Sequence, residues 1–155
     1  MLYRGDFVGG CFCGAVRYRF TDVFDAGYCH CSICRRSSGA ALMAFANTPR
    51  TGFAVTHGTP RHFNSSPEFE RAFCPDCGTV MFTRSIDPER WDMVSVHLGT
   101  IDRAADIEPT MHICHPDRLP WLHLTDPWPR YADAQPPSPA ERGCDERGDL
   151  RRKES

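Results

Sequence analysis

The sequence has no long apolar run and almost no lysine, Lys153 being the only one. No stretch approaches the roughly 18 unbroken apolar residues that a membrane-spanning helix requires. The first ten residues also lack the apolar core of a secretory signal peptide. We therefore expect a cytoplasmic protein with no membrane partner.

A strong excess of charge of either sign is missing as well. The chain carries 18 Lys and Arg against 20 Asp and Glu, which gives a formal net charge of −2 at pH 7. Proteins that bind phosphate backbones usually present a basic face. The composition therefore predicts that nucleic acid is not a partner, and it indicates nothing about the oligomeric state.

Sustained helical periodicity and internal repeats are also lacking. Apolar residues occur in short runs separated by Gly, Pro, Asn and Asp, which is typical of strands and turns. Residues 16–20 alternate apolar and charged side chains, as a half-buried strand does. Short helical segments are predicted only after Cys31, ending at Gly39, and over Ser85–Trp91. Further strands are predicted at Ala41–Ala46, Phe53–Thr56, Arg61–Asn64, Val80–Thr83, Met93–Leu98 and Met111–Cys114, so the fold class is mainly β.

The length of 155 residues suits a single domain. Aromatic residues and cysteine clusters are concentrated before residue 132, whereas the remainder is rich in Pro, Arg and acidic residues and has one large aliphatic residue, Leu150. We expect one folded domain over residues 1–131 and a disordered tail over residues 132–155.

Cysteine, by contrast, is abundant, with nine residues. In a reducing compartment clustered cysteines favour metal binding over disulfides. The segment Cys74-Pro75-Asp76-Cys77-Gly78 has the form of a zinc knuckle, in which a tight turn aims two sulfurs at one ion about 2.3 Å away. Its flanking residues are predicted to form the two strands of a hairpin.

A knuckle supplies two ligands, and Cys11 and Cys13 are the candidate second pair. Residues two apart in an extended chain share a face, so both sulfurs can converge on one ion. The four thiolates of Cys11, Cys13, Cys74 and Cys77 would then form a closed structural zinc site. A redox Cys-x-x-Cys pair and a rubredoxin-like iron site are the alternatives.

A second set of cysteines, Cys29, Cys31 and Cys34, lies within six residues. Three protein ligands and one open position are typical of a catalytic zinc, although a fourth protein ligand would close the site. His30 would point away from the metal if the segment is extended. Cys114 is expected to be a small buried apolar side chain and Cys144 an exposed thiol. The candidate fourth ligands are His30, His97, His112, His115, His123 and Cys114.

An open zinc with three thiolates has a formal charge of −1 and is a weak acid towards water. A soft thiol is its natural fourth ligand, and binding there would deprotonate the thiol. The chemistry that this site favours is the making or breaking of a carbon–sulfur bond.

Three motifs together resemble a known family. They are Gly10-Cys11-x-Cys13-Gly14-x-Val16-x-Tyr18, Cys29-His30-Cys31-x-x-Cys34-Arg35-x-x-x-Gly39 and Phe73-Cys74-x-x-Cys77-Gly78. The sequence is similar to the glutathione-dependent formaldehyde-activating enzymes, also called the centromere protein V/Gfa domain. This resemblance implies an Mss4-like fold of coiled antiparallel β-sheets, a structural zinc on Cys11, Cys13, Cys74 and Cys77, and a catalytic zinc on Cys29, Cys31 and Cys34.

The resemblance also implies a reaction. Members of the family condense formaldehyde with glutathione to S-hydroxymethylglutathione and are grouped with the carbon–sulfur lyases. Because glutathione carries two carboxylates, Arg35 and Arg36 are candidate substrate-binding residues, and Gly39 could let the substrate approach the backbone. The alternative function is a non-catalytic, zinc-stabilised Mss4-like binding module.

Overall fold

Strands dominate the computed structural model of the chain, which describes residues 2–134. Within these residues there are ten strands and one short α helix, so the predicted mainly β class is confirmed. The elements are β1 (Tyr3–Gly10), β2 (Arg17–Val23), β3 (Asp25–Cys29), α1 (Ser32–Ser38), β4 (Met43–Pro49), β5 (Phe53–His57), β6 (Arg61–Asn64), β7 (Phe69–Phe73), β8 (Val80–Ser85), β9 (Met93–His97) and β10 (His112–Ile113).

Two strands were absent from the sequence prediction. β1 and β3 contain Gly and Asp residues that usually mark turns. In β3 the glycine has a packing reason, because a Cβ atom on Gly27 would lie 2.6 Å from Cγ of Met111. Close packing against a neighbouring segment therefore placed glycine in this strand, and local propensity could not predict it.

The strands form two sheets. β1, β2 and β5 make a three-stranded antiparallel sheet, and the other seven strands follow the order β10-β3-β4-β9-β8-β7-β6. Neighbours in the larger sheet are antiparallel except β10 and β3, which run parallel. This parallel pair places the residue after β10 next to the end of β3.

The two faces of the larger sheet contribute to different apolar clusters, because successive side chains of a strand point to opposite sides. In β4, Ala46 packs into the main core, whereas Met43 and Phe45 belong to a second apolar cluster. The main core also contains Tyr18 and Phe82, both almost fully buried. The second apolar cluster also contains Cys29 and Cys34, so it lies on the face of the larger sheet that carries this group of cysteines.

Helix α1 begins and ends as predicted. The Sγ atom of Cys31 accepts a hydrogen bond from the backbone N–H of Cys34 at 3.3 Å, which caps the first turn. Gly39 adopts a left-handed conformation with φ of 69°, and its N–H donates to the carbonyl of Arg35 at 2.9 Å. The helix therefore holds Cys31 and Cys34 in one rigid turn. The second predicted segment contains a single helical turn, closed by a hydrogen bond from the N–H of Trp91 to the carbonyl of Asp87 at 3.2 Å.

The predicted tail of residues 132–155 lies outside the described residues apart from its first three, and both it and the proposed domain boundary stay predictions. Among residues 2–134 there is no helix long and apolar enough to cross a bilayer.

His97, at the end of β9, is expected to make folding sensitive to acid. It is buried, and burial, with the nearby Arg71 charge, lowers the pKa of its imidazole from 6.5 to about 4. In the unfolded chain the imidazole has its ordinary pKa of 6.5. Between pH 6.5 and about 4 the unfolded chain therefore binds more protons than the folded chain. The free energy of unfolding should fall by about 3 kcal/mol as pH decreases from about 6.5 to about 4.

The measurement is urea denaturation across this pH range for the wild type and a His97→Leu variant. Both proteins share every other titrating group, so the difference between their pH dependences isolates the imidazole. Parallel stability curves for the two proteins would contradict the assignment.

Candidate metal centres

The first cysteine cluster consists of Cys11, Cys13, Cys74 and Cys77, whose sulfur atoms all lie within 4.8 Å of one another. The Sγ atoms of Cys11 and Cys13 are 3.6 Å apart, and those of Cys13 and Cys74 are 3.8 Å apart. Four sulfurs at about 2.3 Å from a tetrahedral zinc are separated by about 3.8 Å. The observed spacing therefore fits a four-coordinate ion.

Two similar turns present these sulfurs. Gly14 and Gly78 each follow the second cysteine of a pair, and both have positive φ, 80° and 75°. In the second turn the N–H of Gly78 donates to the carbonyl of Cys74 at 2.9 Å. Residues with a Cβ rarely adopt this conformation, so the glycines allow the chain to fold tightly around the sulfurs.

Hydrogen bonds favour ionised sulfur at two members of the first cluster, Cys11 and Cys77. The backbone N–H of Val16 donates to Sγ of Cys11 at 3.2 Å. The hydroxyl of Thr79 lies 3.2 Å from Sγ of Cys77 and, with the backbone N–H of the same residue, lowers the pKa of that thiol to about 5. Thiolate is the form of cysteine that binds metals, so these donors favour metal binding at Cys11 and Cys77.

The first cysteine cluster also connects the two sheets. Cys11 follows β1 in the smaller sheet, whereas Cys74 and Cys77 form the turn between β7 and β8 in the larger one. β7 and β8 are antiparallel, so the predicted hairpin with the knuckle at its tip is confirmed. The backbone N–H of Phe12 donates to the Thr79 hydroxyl at 3.2 Å, which adds a direct bond between the two turns.

The second cysteine cluster consists of Cys29, Cys31, Cys34 and Cys114. The sulfurs of Cys29, Cys31 and Cys114 lie within 4.8 Å of one another. Cys29 ends β3, and the parallel register pairs it with Ile113 of β10, directly before Cys114. This pairing brings a residue from near the end of the domain to the Cys29–Cys34 segment.

Cys34 lies beside this trio. It is buried on α1, and its thiol interacts with the thiols of Cys29 and Cys31. Its Sγ atom accepts a hydrogen bond from Nη2 of Arg71 at 3.4 Å. The structure thus brings together the three cysteines predicted for the catalytic zinc, whose role as ligands stays a prediction, and adds a fourth sulfur.

The expectation that Cys114 is a buried apolar side chain was wrong, whereas its role as a candidate fourth ligand stays a prediction. Its side chain is only partly buried, packs against the second apolar cluster and places its sulfur in the second cysteine cluster. The local pattern around Cys114 contains no metal-binding spacing, so only the pairing of β10 with β3 reveals its place.

Arg71 is the functional candidate that sequence reasoning missed. This β7 residue is only 4% exposed, and its Nη1 atom donates to the Thr83 hydroxyl at 2.9 Å. Across residues 2–134 no carboxylate forms an ion pair with its guanidinium. A buried cation normally has an anionic partner, and a thiolate at Cys34, whose sulfur accepts from Nη2 of Arg71, would supply one.

A chain of hydrogen bonds supports the loop between Cys29 and Cys31. Nε2 of His30 lies 2.9 Å from Nδ1 of His112, whose Nε2 is 3.0 and 3.1 Å from the two carboxylate oxygens of Asp126. Burial lowers the pKa of His30 to about 4, so its ring is neutral near pH 7. In the described part of the chain no histidine joins either cysteine cluster.

A cavity of about 370 Å³ opens beside the second cysteine cluster. This volume falls within the range of small-molecule sites. Its walls are mainly apolar and include Met43, Phe45 and Met111, while the charged lining residues are Asp25, Glu68 and the buried Arg71. All four cysteines of the second cluster also line it. The cavity could therefore hold a small organic molecule against the sulfurs.

The arginines selected from the sequence are placed elsewhere. Neither Arg35 nor Arg36 lines the cavity, and Gly39 does not line it either. Nε of Arg35 instead donates to the carbonyl of His30 at 3.1 Å, and Gly39 ends α1. A role for these three residues in substrate binding stays a prediction.

Comparison with known proteins gives a consistent family assignment. The family model described as Glutathione-dependent formaldehyde-activating enzyme matches residues 6–117. A Halomonas elongata protein provisionally named as such an enzyme is 26% identical over 126 residues, covering 75% of this chain and 79% of that protein. A Schizosaccharomyces pombe protein named as an uncharacterised lyase is 28% identical over 78 residues, covering 50% of this chain and 56% of that protein.

A solved structure shows weaker similarity. The crystal structure of a Rhodobacter sphaeroides protein matches with a TM-score of 0.48 and 24% identity, covering 66% of this chain and 91% of that chain.

Proposed function

Because the chain belongs to the glutathione-dependent formaldehyde-activating enzyme family, we propose that it is a zinc-dependent carbon–sulfur lyase acting on a small thiol and an aldehyde. Glutathione and formaldehyde are the proposed pair, and S-hydroxymethylglutathione is the proposed product. One observation carries this proposal, namely that the second cysteine cluster lines a cavity of about 370 Å³. Such a protein would work in the reducing cytoplasm, where its thiols stay free.

Zinc suits both sets of sulfurs, because thiolates select soft or borderline metals. The first cysteine cluster offers four sulfurs at tetrahedral spacing and would be structural. The second cluster offers Cys29, Cys31 and Cys34 from one segment, which we propose as the catalytic ligands. A zinc ion held there would supply the positive charge that ionises a substrate thiol.

The cavity residues would position the reactants. Met43 and Phe45 provide an apolar wall that excludes water, so a thiolate in the cavity would be more nucleophilic than in bulk solvent. Arg71 places a fixed positive charge beside Cys34, which compensates the negative charge of the thiolates. In the reaction the thiol sulfur forms a bond to the aldehyde carbon, and the proton of the thiol ends on the carbonyl oxygen.

A non-catalytic binding module with two structural metals is the second candidate. The presence of a fourth sulfur, that of Cys114, at the second cluster favours this alternative because four thiolates can close a zinc site. The apolar cavity with its buried cation favours the enzyme, since a purely structural site requires neither.

The proposal is tested by metal analysis together with an assay of free formaldehyde in the presence of glutathione. We expect about two zinc ions per chain for the wild type and consumption of aldehyde faster than in the protein-free mixture. A Cys31→Ser variant should abolish this activity, because it removes a central ligand of the second cluster.

The variant should retain its fold, since the first cluster is unaffected. Circular dichroism and retention of one zinc per chain provide the control. Equal aldehyde consumption by the wild type and by a folded Cys31→Ser protein would rule out the proposed mechanism.

A further inference from the structure

We propose that Cys114 is a fourth, displaceable ligand of the second metal centre, which holds the ion in the resting protein and gives way to the substrate thiol. This inference rests on the proposed function for its second half, the displacement, whereas the coordination itself does not depend on enzymatic activity.

The position of the sulfur supports coordination. The Sγ atoms of Cys29, Cys31 and Cys114 form the tightest group in the cluster, within 4.8 Å. Cys34 lies against two members of the same group. The sulfur of Cys114 thus shares with those of Cys29 and Cys31 a spacing that one metal ion could bridge, and Cys34 adjoins this set through two of its members.

The backbone of Cys114 is also held in an unusual conformation. Its φ and ψ are 50° and 39°, and within residues 2–134 the only other non-glycine residue with positive φ is Asp22. Such a conformation costs about 1–3 kcal/mol and persists where surrounding structure enforces it. Here the N–H of Cys114 donates to the carbonyl of Asp133 at 3.0 Å, and the N–H of His115 donates to that of Tyr131 at 3.0 Å. The fold therefore aims this side chain at the cluster against the local preference.

The four cysteines differ in how firmly neighbouring residues hold them, and this difference indicates which of them the substrate thiol would displace. Cys29 and Cys34 are buried, and Arg71 holds the sulfur of Cys34. Cys31 caps α1 through its own sulfur. Cys114 is partly exposed, comes from a separate segment and faces the cavity. A thiol entering through the cavity would reach the position of Cys114 with the least disturbance.

Replacing the Cys114 sulfur by the substrate sulfur requires no oxidant or reductant. The incoming thiol gives its proton to the sulfur of Cys114, which leaves as a neutral thiol, and the incoming sulfur takes its place as a thiolate. The number of thiolates around the ion and the net charge of the centre do not change. Cys114 would thus protect the ion between turnovers and also accept the substrate proton.

The coordination is tested by titrating the metal-free full-length protein with Co²⁺ and recording the thiolate-to-metal charge-transfer absorption. The matched variants are Cys114→Ser and Cys144→Ser. On binding of the second equivalent, Cys114→Ser should show about one quarter less charge-transfer intensity than the wild type, as expected for three thiolates instead of four. Its affinity for the second ion should fall about tenfold or more, a loss of the size that disturbed metal sites show. Cys144→Ser should match the wild type.

The displacement is tested by adding glutathione to the Co²⁺-loaded proteins. The missing intensity should return in Cys114→Ser, where the position is vacant, while the wild-type intensity should stay constant. Identical Co²⁺ spectra and affinities for Cys114→Ser and the wild type would overturn the coordination. A spectrum of Cys114→Ser that does not respond to glutathione would overturn the displacement. Failure of the formaldehyde assay alongside the expected spectral changes would contradict only the proposed function.

A Cys114→Ala variant keeps the test valid if the Cys114→Ser protein does not fold. It should unfold cooperatively and show the same reduced intensity, and wild-type intensity in this folded variant would also overturn the coordination.

Discussion

A Cys11→Ser chain is expected to lose the metal of the first cysteine cluster and to be largely unfolded at room temperature. Cys11 is buried where β1 leaves the smaller sheet, and its cluster joins that strand to the hairpin of β7 and β8. Structural zinc sites contribute about 10–16 kcal/mol in small domains, whereas whole domains are stable by only about 5–15 kcal/mol. Loss of one ligand therefore removes a contribution comparable to the total stability.

Circular dichroism, thermal unfolding and metal stoichiometry would check this expectation. Cys144→Ser provides the control, because it makes the same chemical change at a cysteine of the predicted tail. A Cys11→Ser protein that unfolds cooperatively at the wild-type temperature with bound zinc would show that the first cluster is not a structural metal site.

Replacing Arg71 by methionine is expected to lower the free energy of unfolding by about 3–5 kcal/mol. The substitution keeps an unbranched side chain but removes the charge that faces the second cysteine cluster. Sγ of Cys34 then loses the donor at 3.4 Å, and the hydroxyl of Thr83 loses its partner. A thiolate left buried without a cation is costly, so the loss exceeds that of an ordinary hydrogen bond.

The same substitution at Arg84 provides a matched control one strand away. Arg84 of β8 pairs with Glu70 across the hairpin, and its side chain is 41% exposed. Exposed ion pairs contribute about 0–1 kcal/mol, so Arg84→Met should change stability little. Urea denaturation of the zinc-loaded proteins measures both effects. Similar losses for the two variants would show that the sulfurs of the second cluster do not depend on Arg71.

The parts of the site predicted from the sequence are those formed by local chemistry. The Cys-x-x-Cys-Gly turn of residues 74–78 brings its two sulfurs together through a glycine with positive φ, whatever the rest of the chain does. The α1 turn is equally local, since Cys31 caps it and Gly39 ends it. The spacing of residues within such turns is sufficient to propose Cys74 and Cys77 as one pair of ligands and Cys29, Cys31 and Cys34 as another group.

The pairing of strands could not be predicted from the sequence of short segments. β1 and β3 were missed because glycines such as Gly9 and Gly27 are explained only by contacts with distant segments, those of Gly27 with Met111 among them. The β4 strand was found, but which of its faces packs into the main core depends on the position of the smaller sheet.

By itself the sequence indicated the fold class, the family and seven candidate cysteine ligands, because cysteine spacing and strand alternation are properties of short segments. Only the tertiary structure decided that Cys114 and Arg71 face the same cavity. Cys114 arrives there through the parallel pairing of β10 with β3, and Arg71 through its register on β7. Such long-range pairings depend on the packing of the whole domain, and no short motif records them.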